Sequence, residues 1–140
     1  MNADTINVIT LAYLGDAIYE VYIREKLIQK GIAKVEELQL QAVKYVSAKG
    51  QAQILTRLLE EKFLTEEEIE LVKRGRNYKR SSHPKNTDII TYKMSTGFET
   101  LIGYLYLNKN SKIRRNLKSY RGELNVHIWK KCSKGKIKFR

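Results

Sequence analysis

Apolar positions along the first hundred residues recur at helical spacing. Residues 5–30 carry a nearly continuous apolar pattern broken only by Gly15 and scattered polar residues. It predicts one long helix, or two joined near Gly15, ending before Gly31. In VEELQLQAVKYVS (35–47), Leu38, Ala42 and Tyr45 or Val46 fall on one helical face. A next helix over about 48–61 would turn Ala52, Leu55 and Leu58/Leu59 inward. Thr65 followed three residues later by Glu68 is a capping box, and it opens the helix TEEEIELVKRG. Acids crowd the first turns of that helix and cations its end, as the helix dipole favours. GRNYKRSSHPKN (75–86), with the single proline Pro84, reads as a polar loop. A last long helix spans 87–107, with Ile89/Ile90, Met94, Phe98, Leu101/Ile102 and Leu105 expected in the core. Period-two alternation is confined to ELNVHIWKK (123–131), which predicts a short strand at most. The fold class expected is an all-α helical bundle.

At 140 residues the chain is long enough for one domain with a real core. No apolar run reaches the roughly 18–20 residues of a membrane span. The start, MNADTINVIT, lacks the basic stretch of a secretory signal. Cys132 is the only cysteine, which excludes an intramolecular disulfide and a cysteine-rich zinc site. His127 and Cys132 alone are too few for a metal site. These features point to a cytoplasmic protein.

Charge changes the picture more. The net charge of +12 is uneven. Residues 1–110 hold 16 Lys/Arg and 14 Asp/Glu, whereas residues 111–140 hold 11 Lys/Arg and one acid, Glu123. A nearly neutral body (1–110) thus carries a basic tail (111–140). Inside the body, KRGRNYKR (73–80) sets five cations in eight positions. Lys73, Arg74, Arg76, Asn77, Lys79 and Arg80, with Lys85 beyond them, have the footprint of a phosphate-backbone contact. The competing reading is a solvated surface run.

Two acids stand almost alone in the most apolar stretches: Asp16 in LAYLGDAIYEVYI and Glu99 in STGFETLIGYLYL. A buried carboxylate must be hydrogen-bonded, paired or metal-bound, because burial without compensation is costly. The bland alternative places each on an exposed helix face. If the two helices cross near Gly15 and Gly97/Gly103, their backbones approach closely and the acids meet. Two hard oxygen donors from different helices suit a magnesium site completed by substrate phosphates. Glu20 shares the face of Asp16 and either stands behind it or pairs with Arg24 at i+4; Thr96 shares the face of Glu99. Tyr13, Tyr19, Tyr22, Tyr104 and Tyr106 read as core or dimer-interface residues, and His83 as an exposed loop residue.

LAYLGDAIYE resembles the ribonuclease III signature, and TGFETLIGYLYL resembles the second motif of that family. The likeness is closest to the small Mini-ribonuclease III subfamily, which has the catalytic domain and no double-stranded-RNA-binding domain. YVSAKGQAQIL (45–55) and KRGRNYKRSSHPKN (73–86) share it, so it covers about residues 5–108. The resemblance implies a dimeric helical bundle, with Asp16 and Glu99 as catalytic magnesium ligands. Two further acids of the full-length family's first motif fall here on Ile9 and Ala12, and one of its second motif on Thr96, a departure typical of the subfamily. The activity implied is Mg2+-dependent endonucleolytic hydrolysis of double-stranded RNA by a homodimer, leaving 5′-phosphate and 3′-hydroxyl ends. The substrate implied is the precursor of large-subunit (23S) ribosomal RNA. The alternative is a non-catalytic RNA-binding or ribosome-assembly protein on a degenerate form of the fold, for which the Asp16/Glu99 pair would be superfluous.

Overall fold

The computed structural model describes residues 2–79 and 85–113, with side chains described to residue 108. A short 3-10 helix (Ala3–Thr5) leads into α1 (Val8–Gln29), α2 (Val35–Val46), α3 (Ala48–Glu60), α4 (Glu66–Arg76) and α5 (Ile89–Ile113). The described residues contain no strand. The strand expected over 123–131, His83, Arg80 and all but the first residues of the basic tail lie outside the described residues.

The helices start and stop for local chemical reasons. Asn7 caps α1, its side chain accepting the Ile9 N–H at 2.9 Å. Gly15 does not divide α1, which runs unbroken through it. Gly31, at φ +90°, ends α1. Its N–H donates to the Ile28 carbonyl at 2.9 Å and the Ile32 N–H to that of Leu27 at 3.4 Å, the pairing of a Schellman motif. The capping box at Thr65 and Glu68 forms in both directions. Asp88 opens α5 by accepting the Thr91 N–H at 2.8 Å and the Thr91 hydroxyl at 2.7 Å. Those hydrogen bonds hold its carboxyl below the ordinary value.

α5 lies at the centre, packed by α1, α3 and α4. Leu11, Ile23, Leu55, Phe98 and Leu101 form the innermost core, and the Tyr19 ring meets Phe98 edge-on at 4.9 Å. Two expectations need correction. Ile89 and Ile90, at the start of α5, are exposed, not core. α3 buries Gln51, Ile54, Leu55 and Leu58 and leaves Ala52 half-buried. Gly50 sets that rotation: a Cβ there would lie 2.8 Å from the Tyr45 carbonyl oxygen and closer still to that of Lys44. Tyr19 and Tyr22 are buried and Tyr104 and Tyr106 half-buried, whereas Tyr13 is 84% exposed.

The packing of α5 depends on glycines. A Cβ on Gly103 would fall onto the Leu11 carbonyl oxygen and lie 2.8 Å from the Leu11 carbonyl carbon. We expect Gly103→Ala to lower stability by about 3 kcal/mol, since backbone cannot step aside as a side chain does. Urea unfolding measures it; an unchanged midpoint would mean that α1 and α5 are not in backbone contact.

Candidate active site

The site begins at the crossing of α1 and α5. A Cβ on Gly15 would strike the Glu99 carbonyl oxygen and lie 2.8 Å from both the Glu99 carbonyl carbon and the Gly103 nitrogen. The two backbones therefore touch, and Asp16 and Glu99 both belong to the touching segments. Gly97 serves a different neighbour: its Cβ would lie 2.9 Å from the Val72 carbonyl oxygen of α4. Six residues turn an α-helix about 240° beyond its first full turn, so Gly97 and Gly103 cannot serve the same contact. Of the glycines expected at the crossing, Gly103 partners Gly15 and Gly97 seats α4.

Thr100 joins these contacts. It is fully buried, and its hydroxyl lies 2.8 Å from the Thr96 carbonyl oxygen and 3.1 Å from that of Val8 on α1. A Cβ on Gly75 of α4 would lie 2.5 Å from the same hydroxyl oxygen. The sequence shows Thr100 only as a small neighbour of Glu99. Its one signal is a hydroxyl i+4 from Thr96 in an otherwise apolar run, which fits a helix back-bond as well as an interhelical tie.

Around this crossing the polar groups are ordered. Asp16 lies on the exposed side and Glu99 is half-buried. Burial pushes the Asp16 carboxyl above its ordinary value, and the carboxylate of Glu20, one turn on, pushes it further. Glu20 itself pairs with Arg24, whose Nη2 and Nε donate to one carboxylate oxygen at 2.9 and 3.2 Å. Thr96 is buried and donates its hydroxyl to the Tyr92 carbonyl at 3.1 Å, as Ser95 does at 2.7 Å.

The basic run dissolves into separate places. Lys73 pairs with Glu70 at 3.4 Å. Arg74 lines a groove of about 600 Å³ beside Asp4, Glu66 and Glu67. Arg76 lies at the other side of α4, 3.6 Å by its Cβ from the position a Gly97 Cβ would take, and its Nε donates to Asn77 at 3.3 Å. Lys79 and Lys85 are exposed. Contiguity in sequence thus becomes two helix faces, with Arg76 and Asn77 at the end of α4 that meets the α5 segment carrying Glu99.

Among the described residues, no group of three or more His, Cys, Asp or Glu side chains is gathered. The donor set at the crossing is two carboxylates. Hard oxygen donors suit magnesium or a like cation. Asp16, raised by burial and by a like charge, has the environment that a cation would relieve. The residues therefore fit a divalent cation that takes the rest of its shell from water and phosphate oxygens.

The family model described as the Ribonuclease III domain matches residues 9–110. Mini-ribonuclease 3 of Streptococcus pneumoniae is 48% identical over 120 residues, covering 86% of this chain and 94% of its own. Mini-ribonuclease 3 of Brevibacillus brevis is 52% identical over 102 residues, 73% of this chain and 75% of its own. A crystal structure of a Fusobacterium nucleatum protein superposes with a TM-score of 0.71 at 26% identity, covering 93% of this chain and 94% of that one.

The raised Asp16 carboxyl has a consequence for stability. A folded-state value above the unfolded one means that the ionised group opposes folding. The opposition is absent below the unfolded value, about 3.9, and grows as pH rises through the folded one. Asp16→Asn should therefore melt higher than wild type at pH 7 without metal, with the gap closing toward pH 4. Added magnesium should raise the melting temperature of wild type and leave the variant unmoved. Thermal melts followed by circular dichroism decide it; a variant that melts lower at pH 7 would contradict the electrostatics.

Proposed function

The chain belongs to the ribonuclease III family, and we propose that it is a magnesium-dependent endoribonuclease that cleaves double-stranded RNA. The observation that supports the reading is the crossing at Gly15 and Gly103, which sets the stretch of α1 that carries Asp16 against the stretch of α5 that carries Glu99. Near-half identity to curated Mini-ribonuclease 3 proteins over most of the chain supports the same conclusion. Residues 1–110 are the nuclease domain in this reading, and the basic 111–140 tail supplements affinity for RNA.

Asp16 and Glu99 would hold Mg2+, with Glu20 and Thr96 behind them. When bound, magnesium supplies the positive charge that acidifies water and offsets charge building on the phosphate and the leaving oxygen. Asp16 and Glu99 fix where that charge sits relative to the backbone of the duplex. Glu20, clamped by Arg24, keeps negative potential beside Asp16 without taking its place. Thr96, its hydroxyl committed to Tyr92, supplies no charge. In the reaction a water oxygen bonds to phosphorus and the bond to the 3′-oxygen breaks. That oxygen takes a proton, which leaves a 5′-phosphate and a 3′-hydroxyl. Arg76, Asn77, Lys79, Arg80 and Lys85 would meet phosphates beside the cut, while Lys73, paired with Glu70, and Arg74, beside Asp4, Glu66 and Glu67, would add positive charge farther from it. The substrate in this reading is precursor large-subunit (23S) ribosomal RNA, met in the cytoplasm. No helix among the described residues is long and apolar enough to cross a membrane.

A homodimer completes the reading. Tyr13, Ala17, Val21 and Ile28 recur at helical spacing along α1 and are all exposed. Such an apolar stripe favours a partner surface. A two-fold dimer presents its two sites symmetrically, as the pseudo-two-fold symmetry of a duplex requires.

Asp16→Asn and Glu99→Gln should each abolish cleavage of duplex RNA in magnesium while leaving duplex binding largely intact, because each keeps shape and removes one charge. Cleavage and gel-shift assays on one RNA measure both; near wild-type cleavage by either variant at saturating magnesium would refute the assignment. Tyr13→Asp should shift the protein from dimer toward monomer, raising the dissociation constant at least roughly tenfold. Sedimentation equilibrium reads this directly, and an unshifted dimer would place the interface elsewhere.

A further inference from the structure

Away from the Asp16–Glu99 crossing, the corner between α2 and α3 encloses a groove of about 660 Å³. Lys44, Lys49 and Arg57 line it against one acid, Glu60, and Thr91 from the first turn of α5 forms part of its wall. None of these residues belongs to the 73–85 set.

The corner is stiff. Gly50 allows α3 to press on the last carbonyls of α2. The Ser47 hydroxyl accepts the Gly50 N–H at 3.1 Å. The Gln51 side chain, 1% exposed, donates to the Val46 carbonyl at 3.2 Å. Lys44, in the last turn of α2, and Lys49, in the first turn of α3, are thereby held on either side of one tight turn. Lys44 reaches only a neutral partner, Gln41, at 3.2 Å. Lys49 has no ion pair among the described residues. It also sits near the positive end of the α3 dipole, in a first turn without acids. A cation there opposes the helix dipole, and an anion brought to the groove would offset it.

The spacing selects the anion. Lys49 and Arg57 are eight residues apart on α3, about 12 Å along its axis. A single small anion cannot satisfy both, whereas a chain of phosphodiesters can. Thr91 likewise precedes Glu99 by eight residues on α5, again about 12 Å. The geometry points to this groove as a second phosphate-backbone site for the same duplex RNA, with Lys49 and Arg57 as its charged contacts and Lys44 beside them. The inference rests on the endoribonuclease reading and adds a contact surface on the α3 side of α5.

The test uses full-length protein carrying Glu99→Gln, so that RNA stays intact, and measures affinity for one duplex RNA across a potassium chloride series. Adding Lys49→Gln, and separately Arg57→Gln, should weaken binding several-fold at low salt and reduce the log–log salt slope by roughly one unit each. Lys49→Arg should restore both. Thermal melts confirm folding, and if Arg57→Gln is unstable, the exposed Lys49 pair of variants decides alone. Unchanged slope and affinity in Lys49→Gln, with normal duplex binding by the parent and cleavage by wild type, would overturn this site and leave the proposed function standing. Failure of the parent to bind duplex RNA would overturn both.

Discussion

Everything at the site depends on one constraint: α1 and α5 must approach until their backbones touch. Gly15 and Gly103 permit it, and any side chain at either position would occupy the carbonyl of the opposite helix. The contact sets the stretch around residue 16 against the stretch around residue 99 across 82 residues of intervening chain. The buried Thr100 hydroxyl fixes the register of the same pair of helices through the Val8 carbonyl. α4 then seats on α5 through Gly75 and Gly97, so a single helix is clasped by two neighbours through small residues. The basic end of α4 is delivered to the same stretch of α5 as a result.

The electrostatics run against the packing. The helical core is largely apolar and side chains cap α1, α3, α4 and α5, yet Asp16 carries a charge that partial burial and Glu20 both disfavour. Proteins keep such conflicts where a ligand resolves them. Glu20, one turn away, has a partner within the chain, an ion pair with Arg24. Two acids one turn apart thus differ: Glu20 has its ion pair with Arg24, and Asp16 keeps a carboxyl raised above its ordinary value.

Much of this was legible in the sequence because its signals are local or periodic. The capping box at Thr65 and Glu68, the stop at Gly31 and the inward face of α5 from Met94 onward follow from spacing and turn chemistry. The isolated carboxylates stood out because charge is rare in apolar runs. What failed depends on neighbours rather than on pattern. Ile89 and Ile90 fit the periodicity of α5 but stand exposed among the described residues. Gln51 is buried although polar, because Gly50 rotates α3 against α2. The run 73–80 is contiguous in sequence, which does not show that Arg74 lines a groove with Asp4, Glu66 and Glu67 while Arg76 lies by Gly97 of α5. The groove of Lys44, Lys49 and Arg57 was invisible, since its cations are scattered over two helices and meet only through a corner.

A clasp between two backbones has no rotamers. Contacts between side chains loosen by degrees on warming, as alternative torsions fill. Carbonyl against glycine offers no intermediate packing: the helices are in register or apart. The approach of the segments that carry Asp16 and Glu99 is therefore set by the same event that closes the bundle. Nor can a size exchange repair it, for there is no smaller residue than glycine to offer in return for a larger one across the contact.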